Sequence, residues 1–434
     1  MTVIVIDKIK GWLAYKFLKK DFTQDALRAV SDLRSGPREY NHWLHALSII
    51  RWSFLSLFRS YESDTWRDKK DMAAQLPDFD FQPENVNIGI LACGGIGDFL
   101  MLANFLYLFR KRFDAPCARV YLLYDRNKKA VPSIFGEDLA DGTAYICHEA
   151  LYSGFHQQFD VFMEVSRFPK ITHLDVGKIA AMYPELASYL QSVNAFYYEN
   201  KRQLDYPVWD GQAGMVSIIQ GKKRIQQLDF DGSLGISEEF AYPMFIDQQA
   251  RLHTMDKFGL RGKRLIVIVN DADNQNGGGR SNKVWPRSYC DIFFENVAEK
   301  YPQFLLCQLG GTACGAPYTG VHCDLRGLTT LEETKVLLLE AELLIGCEGG
   351  MVHLRHALHG GPSLVLFGPT DERFFGYSEN KNLRGKGCQT PCEWMYDGWT
   401  TDCMHRHRNA CMYSLTPEVV MEALEDMLEE TEAI

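Results

Sequence analysis

The chain has 434 residues and a formal net charge of -10, with 46% hydrophobic and 24% charged residues. This composition is that of a globular protein, and the length predicts two or three domains, because a single core rarely grows beyond about 250–300 residues. The acidic balance argues against a general nucleic-acid binder, which would carry a basic surface. No apolar run approaches the roughly 20 residues that span a bilayer, and no signal peptide is recognisable, so we expect a cytoplasmic protein.

Residues 1–82 are predicted to form a helical extension. Between Asn41 and Arg59, apolar residues recur at helical spacing, which indicates an amphipathic helix. We expect this helix to pack on the rest of the protein. Trp52 and the basic segment 8–20 leave contact with a membrane surface as the alternative.

Residues 83–255 are predicted to form a first α/β unit. The run VNIGILAC is typical of a buried strand, and GGIGD then leads into the apolar helix FLMLANFLYLFRKRF. ARVYLLYD and FDVFMEV are further strands, whereas residues 170–250 read as mostly helical. Strands that alternate with helices indicate a parallel sheet with helices on its faces.

Residues 256–434 are predicted to form a second α/β unit. The strands RLIVIVN, FLLCQLG, LLIGCE and PSLVLFG alternate with helical segments. Thr330 and Glu333 predict a capping box at the start of one helix. Thr416 and Pro417 predict the start of a closing helix, on which Val420, Leu424 and Met427 share one face. The chain therefore carries two α/β units in tandem.

A glycine-rich turn follows the first strand of the first unit. Its glycines let the backbone approach a ligand closely, and the helix start behind it favours anions. The spacing is not that of a dinucleotide-binding fingerprint. Asp98 is predicted either to cap its helix or to act as a catalytic carboxylate at the rim of the sheet. The residues of this turn are Gly94, Gly95, Gly97 and Asp98.

Three loops end strands of the second unit. NDADNQNGGGRSNKVWP joins glycines to two cations, which suits a pyrophosphate, although an ordinary surface loop has the same composition. CEGGMVHLRHAL places a carboxylate at a strand-to-helix turn and a histidine one turn later, where many histidines are structural. FGPTDERFFGY is a strand-end loop that could border the same cleft. The candidates are Arg280, Lys283, Glu348, Gly349, Gly350, His353, Gly368, Pro369 and Thr370.

Four cysteines lie close together in the Cys-rich loop 388–411, which also contains His405 and His407. Their spacing, C-x3-C-x10-C-x7-C, predicts a structural Zn or Fe site that folds a loop with little core of its own. Reduced thiols, or disulfides formed in air, are the alternatives. The predicted ligands are Cys388, Cys392, Cys403 and Cys411.

Together, GGIGDFLML, KVWP, EGGMVHLRHAL and LFGPTD resemble glycosyltransferase family 9, which contains the ADP-heptose:lipopolysaccharide heptosyltransferases, with the autotransporter heptosyltransferases as near relatives. The resemblance covers residues 86 to 428. It implies a GT-B fold, in which two Rossmann-like domains face each other across a cleft, with the acceptor on the first and the nucleotide sugar on the second. It also implies an inverting transfer that needs no divalent metal.

The resemblance assigns roles to individual residues. Asp98 matches the family's general base, and Lys283 matches the lysine that contacts donor phosphate. Glu348 stands where the family usually has aspartate, and Gly349 replaces the usual threonine or serine, whereas Gly350 and His353 keep their places. Some members carry a comparable cysteine-rich loop, with an iron-binding version among the autotransporter enzymes.

The sequence therefore predicts an inverting glycosyltransferase with ADP-heptose as the favoured donor. The acceptor is a lipopolysaccharide-core sugar or a protein hydroxyl, and the N-terminal extension suggests peripheral contact with the inner membrane. One alternative is a transferase of the same fold that uses a UDP- or GDP-sugar. Another is a catalytically silent protein that binds sugar nucleotides or serves as a scaffold, motivated by the departures at Glu348 and Gly349.

Overall fold

The computed structural model describes residues 79, 81–113, 118–124, 127, 129–146, 155–206, 211–272, 281–311, 315–388, 391–395, 397–401, 403 and 409–432. The predicted N-terminal helical extension lies outside this part of the chain, apart from residues 79, 81 and 82. None of the described helices combines the length and apolar character needed to cross a membrane.

The first unit is built on a sheet that has five strands in the described chain, in the order β3-β2-β1-β4-β5. Its strands are β1 (Val86–Ala92), β2 (Ala118–Tyr124), β3 (Gly142–Tyr145), β4 (Val161–Val165) and β5 (Pro169–Leu174). β1 to β4 run parallel, and β5 pairs with β4 in the antiparallel sense. Every residue of β1 is buried, which explains its nearly continuous apolar sequence.

Helices cover this sheet, and the residues after β5 return to pack on them. The helices are α1 (Ile96–Arg112), α2 (Val131–Ile134), α3 (Val176–Met182), α4 (Pro184–Glu199), α5 (Lys201–Leu204) and α6 (Ala213–Ile219), with short 3-10 segments at Phe155–Gln158 and Arg224–Gln226. The fully buried Asn104 of α1 accepts hydrogen bonds from the backbone N–H groups of Ala241 and Tyr242. This amide fixes the segment near residue 240 against the central helix.

The second unit is built on a parallel sheet that has six strands in the described chain, in the order β11-β10-β9-β6-β7-β8. Its strands are β6 (Arg264–Val269), β7 (Phe304–Gln308), β8 (Cys323–Asp324), β9 (Leu343–Cys347), β10 (Ser363–Phe367) and β11 (Lys381–Arg384). Its helices are α7 (Gln248–Lys257), α8 (Arg287–Lys300), α9 (Leu331–Glu340), α10 (Gly350–Ala357), α11 (Glu372–Phe375), α12 (Ala410–Tyr413) and α13 (Pro417–Glu432), with a 3-10 segment at Asp397–Thr400.

Two sequence signals in this unit are confirmed. The Thr330 side chain accepts from the backbone of Glu333, and the Glu333 carboxylate accepts from the backbone of Thr330, which is the predicted capping box. On α13, the predicted apolar face of Val420, Leu424 and Met427 is buried in the core of this unit.

Arg355 of α10 is a fully buried arginine that binds backbone carbonyl groups. Its guanidinium donates to the carbonyl oxygens of Ala341 and Glu342 at 2.9 and 3.2 Å, and also to that of Leu338. Its Nε donates to the carbonyl oxygen of Gly361 at 3.1 Å. Because the cation meets the C-terminal end of α9 and the loop before β10, it ties α10 to both.

The predicted fold class, α/β with two Rossmann-like domains in a GT-B arrangement, is confirmed by the two sheets. α7 crosses the predicted domain boundary at residues 255 and 256, and it forms ion pairs with α9 through Lys257–Glu333 and Arg251–Glu340. The units meet where α1 and α10 begin: a β-carbon added at Gly350 would stand 3.2 Å from Cβ of Ile96.

Candidate functional site

The candidate residues lie just beyond the carboxyl ends of strands in both sheets. In the first unit, Asp98 follows β1 and Arg167 follows β4. In the second unit, Glu348 follows β9 and Thr370 follows β10, while Lys283 lies on the connection from β6 to α8. This edge of an open α/β sheet is where ligands bind.

Asp98 closes the glycine-rich turn at the start of α1. Its Oδ2 accepts a hydrogen bond of 2.9 Å from the backbone N–H of Gly95, the residue before the helix. Gly94 has a φ of +103°, which favours glycine, and a β-carbon there would overlap the Asp98 side chain. The cap predicted as one of two roles is therefore present.

The second carboxylate oxygen of Asp98 faces two arginines. Oδ1 is 2.8 Å from Nη2 of Arg224 and 3.7 Å from Nε of Arg167. Burial alone would raise the pKa of the Asp98 carboxyl, but the two guanidiniums and the Gly95 N–H lower it to about 2. Asp98 is thus a fixed carboxylate at neutral pH that borders the junction of the two units.

Sequence reasoning missed both arginines. Arg167 comes two residues after β4, a strand whose position the sequence predicts. Arg224 lies in a short 3-10 segment within the stretch 170–250 that gave only a general helical signal. A cation directly after a predicted strand was the available signal for Arg167, whereas nothing local marked Arg224.

Lys283 and Glu348 form a buried ion pair in the second unit. Lys283 Nζ is 2.6 Å from Oε2 of Glu348, and the Thr370 hydroxyl donates to the same oxygen at 3.0 Å. Burial would raise the pKa of Glu348, but Lys283 and His353 hold it far below its usual value. Burial would likewise lower the pKa of Lys283, yet Glu348 and Glu393 raise it above its ordinary value. Both side chains are therefore charged at neutral pH.

His353 lies one turn into α10, between Glu348 and Tyr377. Its Nδ1 is 2.6 Å from the Tyr377 hydroxyl oxygen, and its Nε2 is 3.8 Å from Oε1 of Glu348. Burial lowers the pKa of His353 below its ordinary value, against the opposing charge of Glu348. The ring also contacts the backbone of Gly97, which brings the turn of the first unit against the site of the second.

The remaining predicted donor-side residues occupy different positions. A β-carbon added at Gly349 would meet nothing within 4 Å, so its backbone is open. Gly368 packs against Met412, because a β-carbon added at Gly368 would stand 2.9 Å from the Met412 Sδ. The Pro369 carbonyl accepts a hydrogen bond of 2.8 Å from the backbone N–H of Cys392. Arg280 lies outside the described residues.

Aromatic rings surround the Lys283 ammonium. Nζ is 5.4 Å from the ring centre of Trp399 and 6.0 Å from that of Phe375. Arg167 approaches the Phe375 ring, with Cζ 5.4 Å from its centre. Trp399 belongs to the Cys-rich loop, which therefore forms part of the wall of the site.

The structure does not show the predicted metal site among the described residues. Cys388, Cys392 and Cys411 are buried, but no group of three described histidine, cysteine or acidic side chains is arranged to hold a metal ion. Cys388 and Cys411 pack in the core of the second unit, Cys392 packs with Trp399, and Cys403 is partly exposed. The thiols lie near one another: a hydrogen bond with Cys388, burial, and the nearby Cys411 and Cys403 raise the pKa of Cys392 well above its ordinary value. Cys411 Sγ donates to Asn409 Oδ1 at 3.2 Å. His405 and His407 lie outside the described residues.

The site therefore joins a carboxylate with two arginines on the first unit to a lysine, a glutamate and a histidine on the second. Carboxylates can accept hydroxyl hydrogens or a proton, and the cations can hold a phosphate. This combination suits transfer of a group from a phosphorylated donor to a hydroxyl.

Residues 233–393 match the family model of glycosyltransferase family 9 (heptosyltransferase). The matched segment contains Lys283, Glu348 and His353, and it confirms the resemblance predicted from the motifs. The chain is therefore a glycosyltransferase. A search of the curated proteins found no match.

Solved structures also resemble the chain. Heptosyltransferase II of E. coli, an ADP-heptose lipopolysaccharide heptosyltransferase, is 14% identical, covering 80% of this chain and 99% of that one with a TM-score of 0.48. A family 9 glycosyl transferase from Veillonella parvula is 13% identical, covering 81% and 99% with a TM-score of 0.49. The iron-containing dodecameric glycosyltransferase TibC from enterotoxigenic E. coli is 12% identical, covering 80% and 77% with a TM-score of 0.47.

Proposed function

We propose that the chain transfers a sugar, with heptose from ADP-heptose as the favoured donor, to a hydroxyl of a lipopolysaccharide-core sugar or of a protein, with inversion at the anomeric carbon. The observation that carries this proposal is that His353, whose ring faces Glu348, lies against Gly97 and within the influence of the Asp98 charge. The junction at Gly97 and His353 joins the site residues of the two units.

Asp98 is the general base in this proposal. As the acceptor oxygen bonds to the anomeric carbon, the bond from that carbon to the phosphate oxygen breaks, and its electron pair leaves with the nucleoside diphosphate. The hydroxyl proton passes to Asp98. Because the arginines lower the pKa of the Asp98 carboxyl to about 2, the proton leaves only as the new bond lowers the pKa of the attacking oxygen.

Lys283 and the N-terminus of α10 stabilise the charge that develops on the departing diphosphate. α10 begins at Gly350, and the open backbone at Gly349 lets a phosphate approach its first N–H groups. Glu348 is held ionised, so it accepts hydrogen bonds from hydroxyl groups of the sugar or ribose. The family resemblance implies that this chemistry proceeds without a divalent metal.

The proposed acceptor and the proposed location of the enzyme are inferred from the sequence. We propose a cytoplasmic enzyme, with peripheral contact at the inner membrane through the N-terminal extension. A structural Zn or Fe at the four cysteines is a separate part of the proposal, supported by the burial of three of the thiols. Elemental analysis of anaerobically purified protein tests it: about one metal per chain is expected, and a metal-free, fully active preparation contradicts it.

The donor site is tested by thermal unfolding with ADP, UDP, GDP and CDP, on wild type and Lys283→Ala. A ligand at about 100 times its dissociation constant stabilises the protein by roughly 2.7 kcal/mol. A shift with ADP that is lost in Lys283→Ala supports the proposed donor. A shift with another nucleotide replaces the donor within the same enzyme class, and the absence of any shift favours the catalytically silent alternative.

A further inference from the structure

Glu393 is a buried carboxylate of the Cys-rich loop that lies between cations of both units. Its side chain is only 6% exposed, and its Oε1 is 3.4 Å from Nη2 of Arg167. Its charge, after that of Glu348, raises the pKa of Lys283. Glu393 thus faces both the guanidinium of Arg167, in the first unit, and the ammonium of Lys283, which is predicted to hold donor phosphate.

The backbone on both sides of Glu393 is fixed to the two units. The N–H of Cys392 donates to the Pro369 carbonyl at 2.8 Å, within the second unit. The carbonyl of Trp394 accepts from Nε2 of Gln212 at 3.4 Å, and Gln212 belongs to the first unit. The residues on both sides of Glu393 are held by these hydrogen bonds. The loop therefore directs the Glu393 side chain into the junction of the two units.

The charges at this junction balance among the described residues. Arg167, Arg224 and Lys283 face Asp98, Glu348 and Glu393. A nucleoside diphosphate brings at least two further negative charges into a site where charge is costly to bury. Displacement of a carboxylate from its cations lowers this cost.

The three carboxylates are held to different degrees. The ion pair of Asp98 with Arg224 measures 2.8 Å, and that of Glu348 with Lys283 measures 2.6 Å. Asp98 also caps α1, and Glu348 also accepts from Thr370. The pair of Glu393 with Arg167 is longer, at 3.4 Å. Of these three ion pairs, that of Glu393 is the longest, so exchange of this carboxylate for a phosphate oxygen leaves the two shorter pairs intact.

We propose that Glu393 and the donor diphosphate compete for the same two cations, Arg167 and Lys283, and that a bound diphosphate displaces the carboxylate from both. This inference rests on the proposed function, since it takes Lys283 as a phosphate ligand. Arg167 becomes a second diphosphate-binding residue, contributed by the first unit. Its contact with the Phe375 ring holds the guanidinium at the junction after Glu393 has moved.

Titration calorimetry of the full chain with ADP and with inorganic pyrophosphate tests the proposal. Glu393→Gln removes the competing charge at nearly constant shape, so we expect both ligands to bind more tightly, by on the order of tenfold. Arg167→Met should weaken both, and the double variant should lose the gain. Glu393→Asp keeps the charge and should stay near wild type, as should Glu342→Gln, which removes a surface carboxylate paired with Arg264.

The outcomes separate this inference from the proposed function. If wild type binds ADP and Glu393→Gln leaves the affinity unchanged or weakens it, Glu393 does not compete with the diphosphate and this inference is wrong. A loss of ADP binding without loss of pyrophosphate binding in Glu393→Gln would assign Glu393 to the nucleoside instead, and it also overturns the inference. If wild type binds none of the tested nucleotides or pyrophosphate, the donor site itself is wrong, and the inference is wrong with it.

Discussion

The ring of His353, in the second unit, lies against the backbone of Gly97 in the first, and a β-carbon added at Gly97 would stand 2.7 Å from its Cδ2. The ring has little room to withdraw, because it is buried and its Nδ1 is 2.6 Å from the Tyr377 hydroxyl. The side chain of one unit therefore sets how closely the other can approach.

We expect Gly97→Ala to lower turnover by roughly 10- to 100-fold, because a displaced His353 moves the donor side of the site relative to Asp98. Gly95→Ala is the matched control: a β-carbon there meets nothing within 4 Å. Steady-state kinetics on both variants checks this. Equal turnover in the two would show that the contact is irrelevant to catalysis.

We expect Asp98→Asn to reduce kcat by about 10²–10⁴-fold, the usual contribution of a general base. Asp141→Asn is the control, since Asp141 also binds two arginines, Arg110 and Arg119, and accepts a backbone N–H. Asp141→Asn therefore removes a carboxylate with similar partners and lowers folding stability in a similar way, but at a position away from the cleft. Unchanged turnover in Asp98→Asn at full folding would remove Asp98 from its assigned role.

The same carboxylate predicts a pH dependence of stability. The folded-state pKa of Asp98 is about 2, below the unfolded value of 3.8, so its contribution is complete above 3.8 and is lost as the pH falls toward 2. The difference in melting temperature between wild type and Asp98→Asn should therefore shrink over that range. A constant difference from pH 7 to pH 2 would contradict the ion pairs with Arg167 and Arg224.

The Lys283–Glu348 pair allows phosphate binding to be separated from stability. Lys283→Met leaves Glu348 charged and buried, so we expect a loss of about 3 kcal/mol in the free energy of unfolding. Adding Glu348→Gln should recover most of that loss but none of the ADP affinity. Denaturant unfolding and calorimetry measure the two quantities, and recovered ADP binding in the double variant would show that Lys283 does not hold phosphate.

The exposed pair Lys300–Glu425 is the control for this experiment. The side chains of its two residues are 52% and 36% exposed, so solvent screens the pair and we expect Lys300→Met to leave the free energy of unfolding near the wild-type value.

His353 predicts a loss of stability in mild acid. Burial lowers its folded-state pKa below the unfolded value of 6.5, although Glu348 opposes the shift. The unfolded chain therefore binds the proton more readily, and stability falls as the pH decreases below 6.5. The Tyr377 hydroxyl also faces this ring. The charge of Arg224 lowers the pKa of His353 further, whereas the charge of Asp98 raises it.

We expect His353→Gln to flatten this part of the stability profile, measured by urea unfolding between pH 7.5 and pH 5, a range chosen around the histidine value of about 6.5. His253→Gln, at an exposed histidine of α7, should retain the wild-type slope. An unaltered slope in His353→Gln would place the acid sensitivity elsewhere.

The central strands of both sheets were predictable because they are buried on both faces and therefore apolar. β1, β6, β9 and β10 illustrate this. The strands β3, β5, β8 and β11 were missed. All four lie at a sheet edge, and they are short or polar: β8 has two residues, and β11 reads KNLR. An edge strand has fewer apolar neighbours, so its sequence carries little pattern.

The site was predictable where it follows a recognisable strand. Lys283, Glu348 and His353 came from motifs, but the partners of Asp98 did not, because Arg224 reaches it across 126 positions of sequence. The contribution of the Cys-rich loop to the candidate site was also missed, because nothing local in its sequence marks Trp399 and Glu393 as neighbours of Lys283. Contacts of this kind depend on tertiary structure, which local periodicity does not encode.

Arg355 has a mechanical consequence. Its guanidinium bonds join α10 to α9 and to the loop before β10, all within the second unit. Glu348 and His353 therefore travel with their own sheet as one rigid body. Opening of the cleft would then separate the two units at their junction, so that Asp98 moves away from the donor while Lys283 and the start of α10 keep their positions relative to each other.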